Sequence, residues 1–515
     1  MISAREDVTV RTFWEQRVDA APDAPFLIYG DQRFSYGKFD ASVNRLANGL
    51  LAHGVGQGDK IALLLPSDIR LLRLQLAIQK IGAVMVPMIP TLTHGEITYV
   101  LRHCEPSVLV TDGKGYGVIA DGGGLDVDHP MRVYSFGGEP LDAADLESEE
   151  ADRPPALTIT AADPMAIMYT SGSTGKPKGV VQPSAGFVSA GRAIAERLGA
   201  TAADNFFSCL PLFHAAATHM LMSPAIAVGA RFTLEPTFSR SGFWDQVRRS
   251  GGTITLVMPA QLSILMTAPR RDDDREHSMR IVFSHIRPQR FCDRFGVEVC
   301  TTWAMTETCG LGTLTVPFEG DHAPKLIGVP MGDAEIKIAD ETGEPVAAGE
   351  LGELCFRHPN VMREYYNDPD NTARTLRDGW VHSGDLCAMD DQGRAYFHGR
   401  IKHIIKRAGE NIAGEEVEFA IAAHPAVEEC VTSGVPDPIY TEEVHATVRL
   451  GDGHQWTEQD IIEWCSTQLA DWKIPRYITL ASAELPKLAN GKTDRRTINR
   501  NLDLSRAWDR SKHMN

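Results

Sequence analysis

The sequence predicts an α/β protein: a large N-terminal domain of parallel-type α/β sheets with a small β-rich subdomain, followed by an α+β C-terminal lid. Three observations predict it. At 515 residues the chain exceeds what one hydrophobic core normally serves, so at least two domains are expected. Its first part alternates short apolar runs with helix-like stretches, as successive βα units do. Beyond Glu335 the pattern changes to short alternating strands separated by turns, and beyond Arg400 to mixed helices and strands.

Apolar runs at 61–65, 84–88, 108–111, 165–168, 254–258 and 280–283 read as strands, and 71–81 as a helix. Segments 335–338, 353–357 and 395–398 read as the short strands of the β-rich subdomain, with Asp390-Asp391-Gln392-Gly393 as a turn. The lid is expected to hold a helix over 414–423, strands over 427–435 and 444–450, and a helix over 458–469. The boundary is placed at 400/401, giving domains 1–400 and 401–515, and no internal repeat is evident.

The formal charge of −17 is spread without a basic block, which argues against nucleic acid or an anionic membrane surface as the main partner. Any anion site must be local. Nine cysteines, with no CxxC pair among them, form neither a disulfide framework nor a zinc signature and read as reduced thiols. The first residues lack the apolar core of a secretion signal, and no stretch holds eighteen uninterrupted apolar residues. A cytoplasmic protein without a transmembrane segment is expected.

One local site stands out. Tyr169-Thr170-Ser171-Gly172-Ser173-Thr174-Gly175-Lys176-Pro177-Lys178-Gly179-Val180 follows an apolar strand and combines hydroxyls, glycines and lysines, the donors and close-approach backbone that a polyphosphate needs. It is not a Walker A loop, because Lys176 is followed by Pro177, which also removes a backbone donor. The bland alternative is a Gly/Ser linker. Taken with the motifs below, the loop resembles the signature of the adenylate-forming superfamily, which includes acyl- and aryl-CoA synthetases, carrier-loading adenylation domains and beetle luciferases.

The resemblance runs over nearly the whole chain with its motifs in order. Leu210-Pro211-Leu212-Phe213-His214 is similar to the segment whose histidine and aromatic residue border the acyl site; alone, such a histidine is more often a core residue. Thr302-Trp303-Ala304-Met305-Thr306-Glu307 resembles Tyr-Gly-x-Thr-Glu, which implies Thr306 at the α-phosphate and Glu307 holding Mg2+, a hard cation suited to a carboxylate. Gly379 to Asp385 and Phe397 to Arg400 match motifs that imply Asp385 and Arg400 at the ribose. The stretch from Arg400 to Asn411 implies a hinge at Lys402 and a CoA-channel loop at Ala408 and Gly409. Lys492, after Asn490-Gly491, takes the place of the closing lysine that bridges carboxylate and α-phosphate.

The resemblance implies a two-step reaction: a carboxylate joined to the α-phosphate of ATP with loss of pyrophosphate, then thiol attack with loss of AMP. A mobile lid gates the steps. The Gly-Glu-Asn loop favours a CoA ligase over a carrier-loading domain and looks most like bacterial synthetases for medium or unusual acids, including crotonobetaine/carnitine CoA ligases. The expected ligands are ATP or acyl-AMP, CoA and Mg2+. Candidate acyl-pocket residues are Cys209, Ala215, Ala216, Ala217, Met220, Met258, Trp303 and Cys309, whose small and soft side chains point to a bulky apolar carboxylic acid.

Two departures meet at the adenine. Ile281-Val282-Phe283-Ser284-His285-Ile286-Arg287-Pro288 replaces the usual Gly-Ala-Ala-Pro-like wall and is several residues short, and Trp303-Ala304 replaces Tyr-Gly. Indole can still stack, but the added methyl crowds the nucleotide. This leaves a tailored adenine pocket in an ordinary synthetase, or an enzyme that converts only acyl-adenylate made by a separate enzyme. A non-catalytic acyl-adenylate or acyl-CoA binding protein is a third reading, and a luciferase-like oxygenase a fourth that rests on fold alone.

Overall fold

The computed structural model describes residues 8–137, 140–170, 177–320, 322–408, 410–451, 453–454, 456–488 and 491–512. The chain divides into two compact units, residues 1–336 with 356–382, and residues 337–355 with 383–515.

The larger unit contains two sheets. In the first, strands run in the order Glu364–Tyr365, Lys178–Pro183, Pro164–Thr170, Val84–Pro87, Lys60–Leu64, Val108–Asp112, Arg132–Phe136 and Leu141–Asp142. From Pro164–Thr170 onward the pairs are parallel, whereas Lys178–Pro183 returns antiparallel beside Pro164–Thr170. The near-continuous apolar runs suit strands covered on both faces. The second sheet has a parallel centre, Glu298–Ala304, Ile281–Ser284, Ile254–Leu256, Asn205–Ser208, Arg231–Leu234 and Pro25–Tyr29, flanked by antiparallel strands.

Local chemistry sets the helix ends. Asp68 caps Ile69–Lys80 through the amides of Arg70 and Leu71, so this helix begins two residues before the apolar periodicity does. Thr93 and Glu96 form a capping box for His94–Cys104, which ends at Glu105 in the left-handed conformation (φ 46°). The strand expected over 254–258 stops at Leu256, because Pro259 starts the helix Pro259–Met266 and Met258 becomes its extended N-terminal neighbour. Lys80 is buried, its ammonium 2.7 Å from Asp40 Oδ1 and 3.1 Å from Glu15 Oε1. Breaking this group would leave an uncompensated buried charge.

Strands Glu335–Ala339, Gly352–Arg357, Trp380–Met389 and Ala395–Arg400 lie side by side, and the chain passes between the units within the first three. In the smaller unit a further sheet is built on the hairpin Val427–Asp437 and Thr441–Leu450, with Ile404–Arg407 and Tyr477–Leu480 on its path. Helices Gly414–Ala422 and Glu458–Ser466 close its core around Ile405, Val417, Val444, Ile461 and Ile478. The second helix ends three residues before the expected 469.

Candidate active site

The strand–loop–strand Pro164–Thr170 and Lys178–Pro183 carries the glycine- and lysine-rich segment. Thr170 and Lys178 are directly paired across the hairpin, as are Tyr169 and Gly179. Ser171, Gly172, Ser173, Thr174, Gly175 and Lys176 lie outside the described residues. Close packing below them explains Gly179, where a Cβ would lie 2.7 Å from Ile167 Cγ2.

Next to this hairpin the fold assembles Thr306 and Glu307. Gln182 Nε2 donates to the Thr306 carbonyl (2.8 Å), and the Met362 amide to the Glu307 carbonyl (2.8 Å). The Tyr365 hydroxyl donates to Glu307 Oε1 (2.6 Å), and the Lys178 ammonium sits 4.3 Å from the centre of the Tyr365 ring. Burial first, and then the Glu307 charge, push the Tyr365 phenol far above its ordinary range, so it stays a donor. A nearly buried carboxylate held at one oxygen fits a hard divalent cation that takes its other ligands from water and phosphate oxygens.

Trp303 and Ala304 end the strand Glu298–Ala304, paired with Thr313 and Gly312. Trp303 is 5% exposed, and its ring lies 6.0 Å from that of Phe356. After Ile281–Ser284 the chain folds back on its neighbour: His285 Nδ1 lies 3.0 Å from the Thr302 carbonyl, and Arg287 Nε donates to the Val299 carbonyl (3.0 Å). The segment is thus tied down by its own side chains.

The proposed acyl residues fall in several environments. His214 precedes the short helix Ala215–Ala217, with its ring 5.0 Å from that of Phe213. A π-helical turn, Thr218–Met222, follows and contains Met220; such turns are frequent at functional sites. A Cβ at Gly310 would lie 3.3 Å from Met220 Cγ, so Met220 meets the Cys309-Gly310 segment. Cys309 is fully buried against Gly186, and Cys209 packs in a core with Phe207, Val257 and Leu262. Burial raises both thiols, Cys209 to about 12, which makes them inert packing groups. Met258 stands at the start of Pro259–Met266.

Within the smaller unit, Asp385 and Arg400 are paired across adjacent strands, with Arg400 Nε 2.7 Å from Asp385 Oδ1. The carboxylate is 1% exposed and the guanidinium 39%. Lys402 lies in the single turn Ile401–His403, where burial and the nearby Arg400 and Arg496 lower its pKa against the pull of Glu415. Glu415 ties the turn, accepting from the Arg400 amide (3.2 Å) and pairing with His403. Ala408 has a left-handed φ of 53°, and its amide donates to the Tyr440 carbonyl (2.9 Å); Gly409 lies outside the described residues. Lys492 is exposed, and its carbonyl accepts from the Leu488 amide (2.7 Å).

Tyr365 and Gln182 were not singled out by sequence reasoning. Neither stands in a glycine-rich or charged motif, and only a fold that returns Tyr365 to Glu307 reveals them. All nine cysteines are free of disulfides, and among the described residues no helix is long and apolar enough to cross a membrane.

Fold and clustered motifs together define an enzyme class, the adenylate-forming ligases. The family model of AMP-binding enzymes matches residues 14–366 and that of the AMP-binding enzyme C-terminal domain matches 416–492. The chain belongs to the AMP-binding enzyme family, in the acyl-CoA ligase branch, and is an acid–thiol ligase. It is 30% identical over 514 residues to a crotonobetaine/carnitine–CoA ligase of Salmonella paratyphi B, covering 95% of this chain and 98% of the relative. Among solved structures, an anthranilate CoA ligase in complex with anthranoyl-AMP superimposes with a TM-score of 0.88 at 24% identity, covering 97% and 98% of the two chains. The o-succinylbenzoate CoA synthetase of Bacillus subtilis, in complex with its acyl-adenylate intermediate, gives 0.82 at 28% identity, covering 94% and 97%.

Proposed function

We propose that the chain forms a CoA thioester from a bulky apolar carboxylic acid and ATP through an acyl-adenylate. The observation that carries this reading is the convergence of Lys178, Tyr365, Glu307 and Thr306 beside the phosphate loop. Mg2+, held by Glu307, would neutralise phosphate charge. Thr306 meets the α-phosphate, Thr170 and the loop hold the leaving pyrophosphate, and Trp303, Ala304, Asp385 and Arg400 hold the nucleoside. Lys492 stabilises the charge that develops as the carboxylate oxygen attacks the α-phosphorus and the bond to pyrophosphate breaks. The CoA thiolate then attacks the acyl carbon and AMP leaves. We assign the second step to a lid of residues 401–515 turning about Lys402, with Ala408 and Gly409 at the CoA path. His214 orients the acyl group. A cytoplasmic location belongs to the same proposal and rests on the reduced-thiol reading.

The acid is argued from Ala215, Ala216, Met220 and their neighbours. The relative is named for crotonobetaine and carnitine and the two solved ligases for anthranilate and o-succinylbenzoate, so the names alone do not select a substrate. Burial of Trp303 against Phe356, with His285 and Arg287 in the shortened wall, favours a second reading in which only preformed acyl-adenylate is used. Thioester formation from a panel of bulky acids, once with ATP and Mg2+ and once as preformed adenylates, tests both. Activity in both arms supports the two-step ligase; activity with adenylates alone supports the second reading. Activity in neither arm, with adenylate or acyl-CoA still bound, would favour the non-catalytic binder.

A further inference from the structure

The helix His94–Cys104 places Tyr99 and His103 one turn apart on the same face, their rings stacked 5.6 Å apart with 17° between planes. The Tyr99 hydroxyl donates to the backbone carbonyl of Pro177 at 3.0 Å. His103 Nδ1 lies 2.7 Å from the hydroxyl of Tyr169. Tyr169 and Pro177 stand immediately outside the two ends of Thr170 to Lys176, so one helix grips both feet of the phosphate loop.

Other contacts stiffen the grip. The Tyr366 ring meets His103 edge-on at 5.7 Å, its hydroxyl accepts from the Lys60 ammonium (2.8 Å), and its amide donates to the Gly179 carbonyl (2.7 Å). The environment of the central bond keeps both partners uncharged. Burial lowers the His103 imidazole against the opposing charge of Asp368, and burial raises the Tyr169 phenol, so a hydrogen bond joins two neutral groups.

We propose that Tyr99 and His103 are positioning residues that hold Pro177 and Tyr169, the residues flanking the phosphate loop, and thereby strengthen binding of the β- and γ-phosphates of ATP. The proposal rests on the reading of the loop as an ATP site. A glycine-rich loop loses much backbone freedom when it orders around a ligand, and fixing both ends beforehand lowers that cost. The clamp therefore acts on the terminal phosphates and leaves the nucleoside contacts alone.

The test uses Tyr99→Phe and Tyr169→Phe in the full-length protein, each deleting one oxygen, and calorimetric titration with Mg-ATP and, separately, with AMP. Each variant is expected to bind Mg-ATP roughly three- to tenfold more weakly, the range of one net hydrogen bond, with AMP affinity changed by less than about twofold. His103→Phe combined with Tyr169→Phe is expected to lose no more than Tyr169→Phe alone, since the single variant already deletes the bond to His103. Equal weakening of both ligands, or unchanged Mg-ATP binding, overturns the clamp. If the wild-type protein binds neither nucleotide, the ATP reading falls first and takes the clamp with it. Retained AMP binding shows that a variant is folded, so the two failures are separable.

Discussion

Ala304 concentrates the question of how the nucleotide is held. It closes the strand Glu298–Ala304 opposite Gly312, at the position where the resemblance implies glycine. If its methyl crowds the adenine, Ala304→Gly is expected to tighten Mg-ATP binding by about threefold or more in a direct titration; an unchanged affinity would exonerate the methyl and leave Trp303 or the His285 segment as the altered contact. The role proposed for Lys492 distinguishes the half-reactions. Lys492→Ala is expected to lower pyrophosphate release by roughly a hundred- to a thousandfold, the scale of one charge-stabilising donor, while thioester formation from supplied acyl-adenylate persists. Parallel loss of both activities would contradict the role proposed for it.

Among the elements, the pairing of Glu298–Ala304 with Gly312–Leu314 fixes Trp303. The backbones approach so closely that a Cβ at Gly312 would lie 1.8 Å from the Trp303 carbonyl oxygen. Backbone at that distance cannot yield as a flexible side chain can. Gly312→Ala is therefore expected to cost about 1–3 kcal/mol or more, read as a lower denaturation midpoint at unchanged slope. A midpoint equal to wild type would mean that the two strands separate without cost. The helix His94–Cys104 shows a different dependence: its capping box is local, but its use as a grip requires the distant hairpin.

For the whole molecule, stability should fall on acidification because buried histidines must remain neutral. Burial lowers His219 to about 3 and His445 to about 4, from an ordinary 6.5. In each case the unfolded chain binds the proton more readily. The stabilisation is complete above the unfolded pKa and is lost as pH falls below it toward the folded value. One such histidine gives a slope of about 1.4 kcal/mol per pH unit once the unfolded form is protonated. His219→Asn is expected to flatten the dependence of unfolding free energy between about pH 6 and 5, where most carboxylates remain ionised. An identical slope in the variant would show that His219 is protonated equally in both states.

The sequence by itself determined what depends on near neighbours: the alternation of strands and helices, the glycine- and lysine-rich segment after Tyr169, and the Thr306-Glu307 pair. Propensity, periodicity and short motifs are properties of a few consecutive residues. Tertiary structure decided which remote side chains serve those motifs. Tyr365 reaches Glu307 across 58 residues, and Tyr99 reaches Pro177 across 78. Packing also made Cys209 and Cys309 buried, inert thiols, and it gave the segment after Ser284 its own side-chain anchors. No pattern in one chain specifies such pairings, because they arise only when separate elements pack together and close the distance between them.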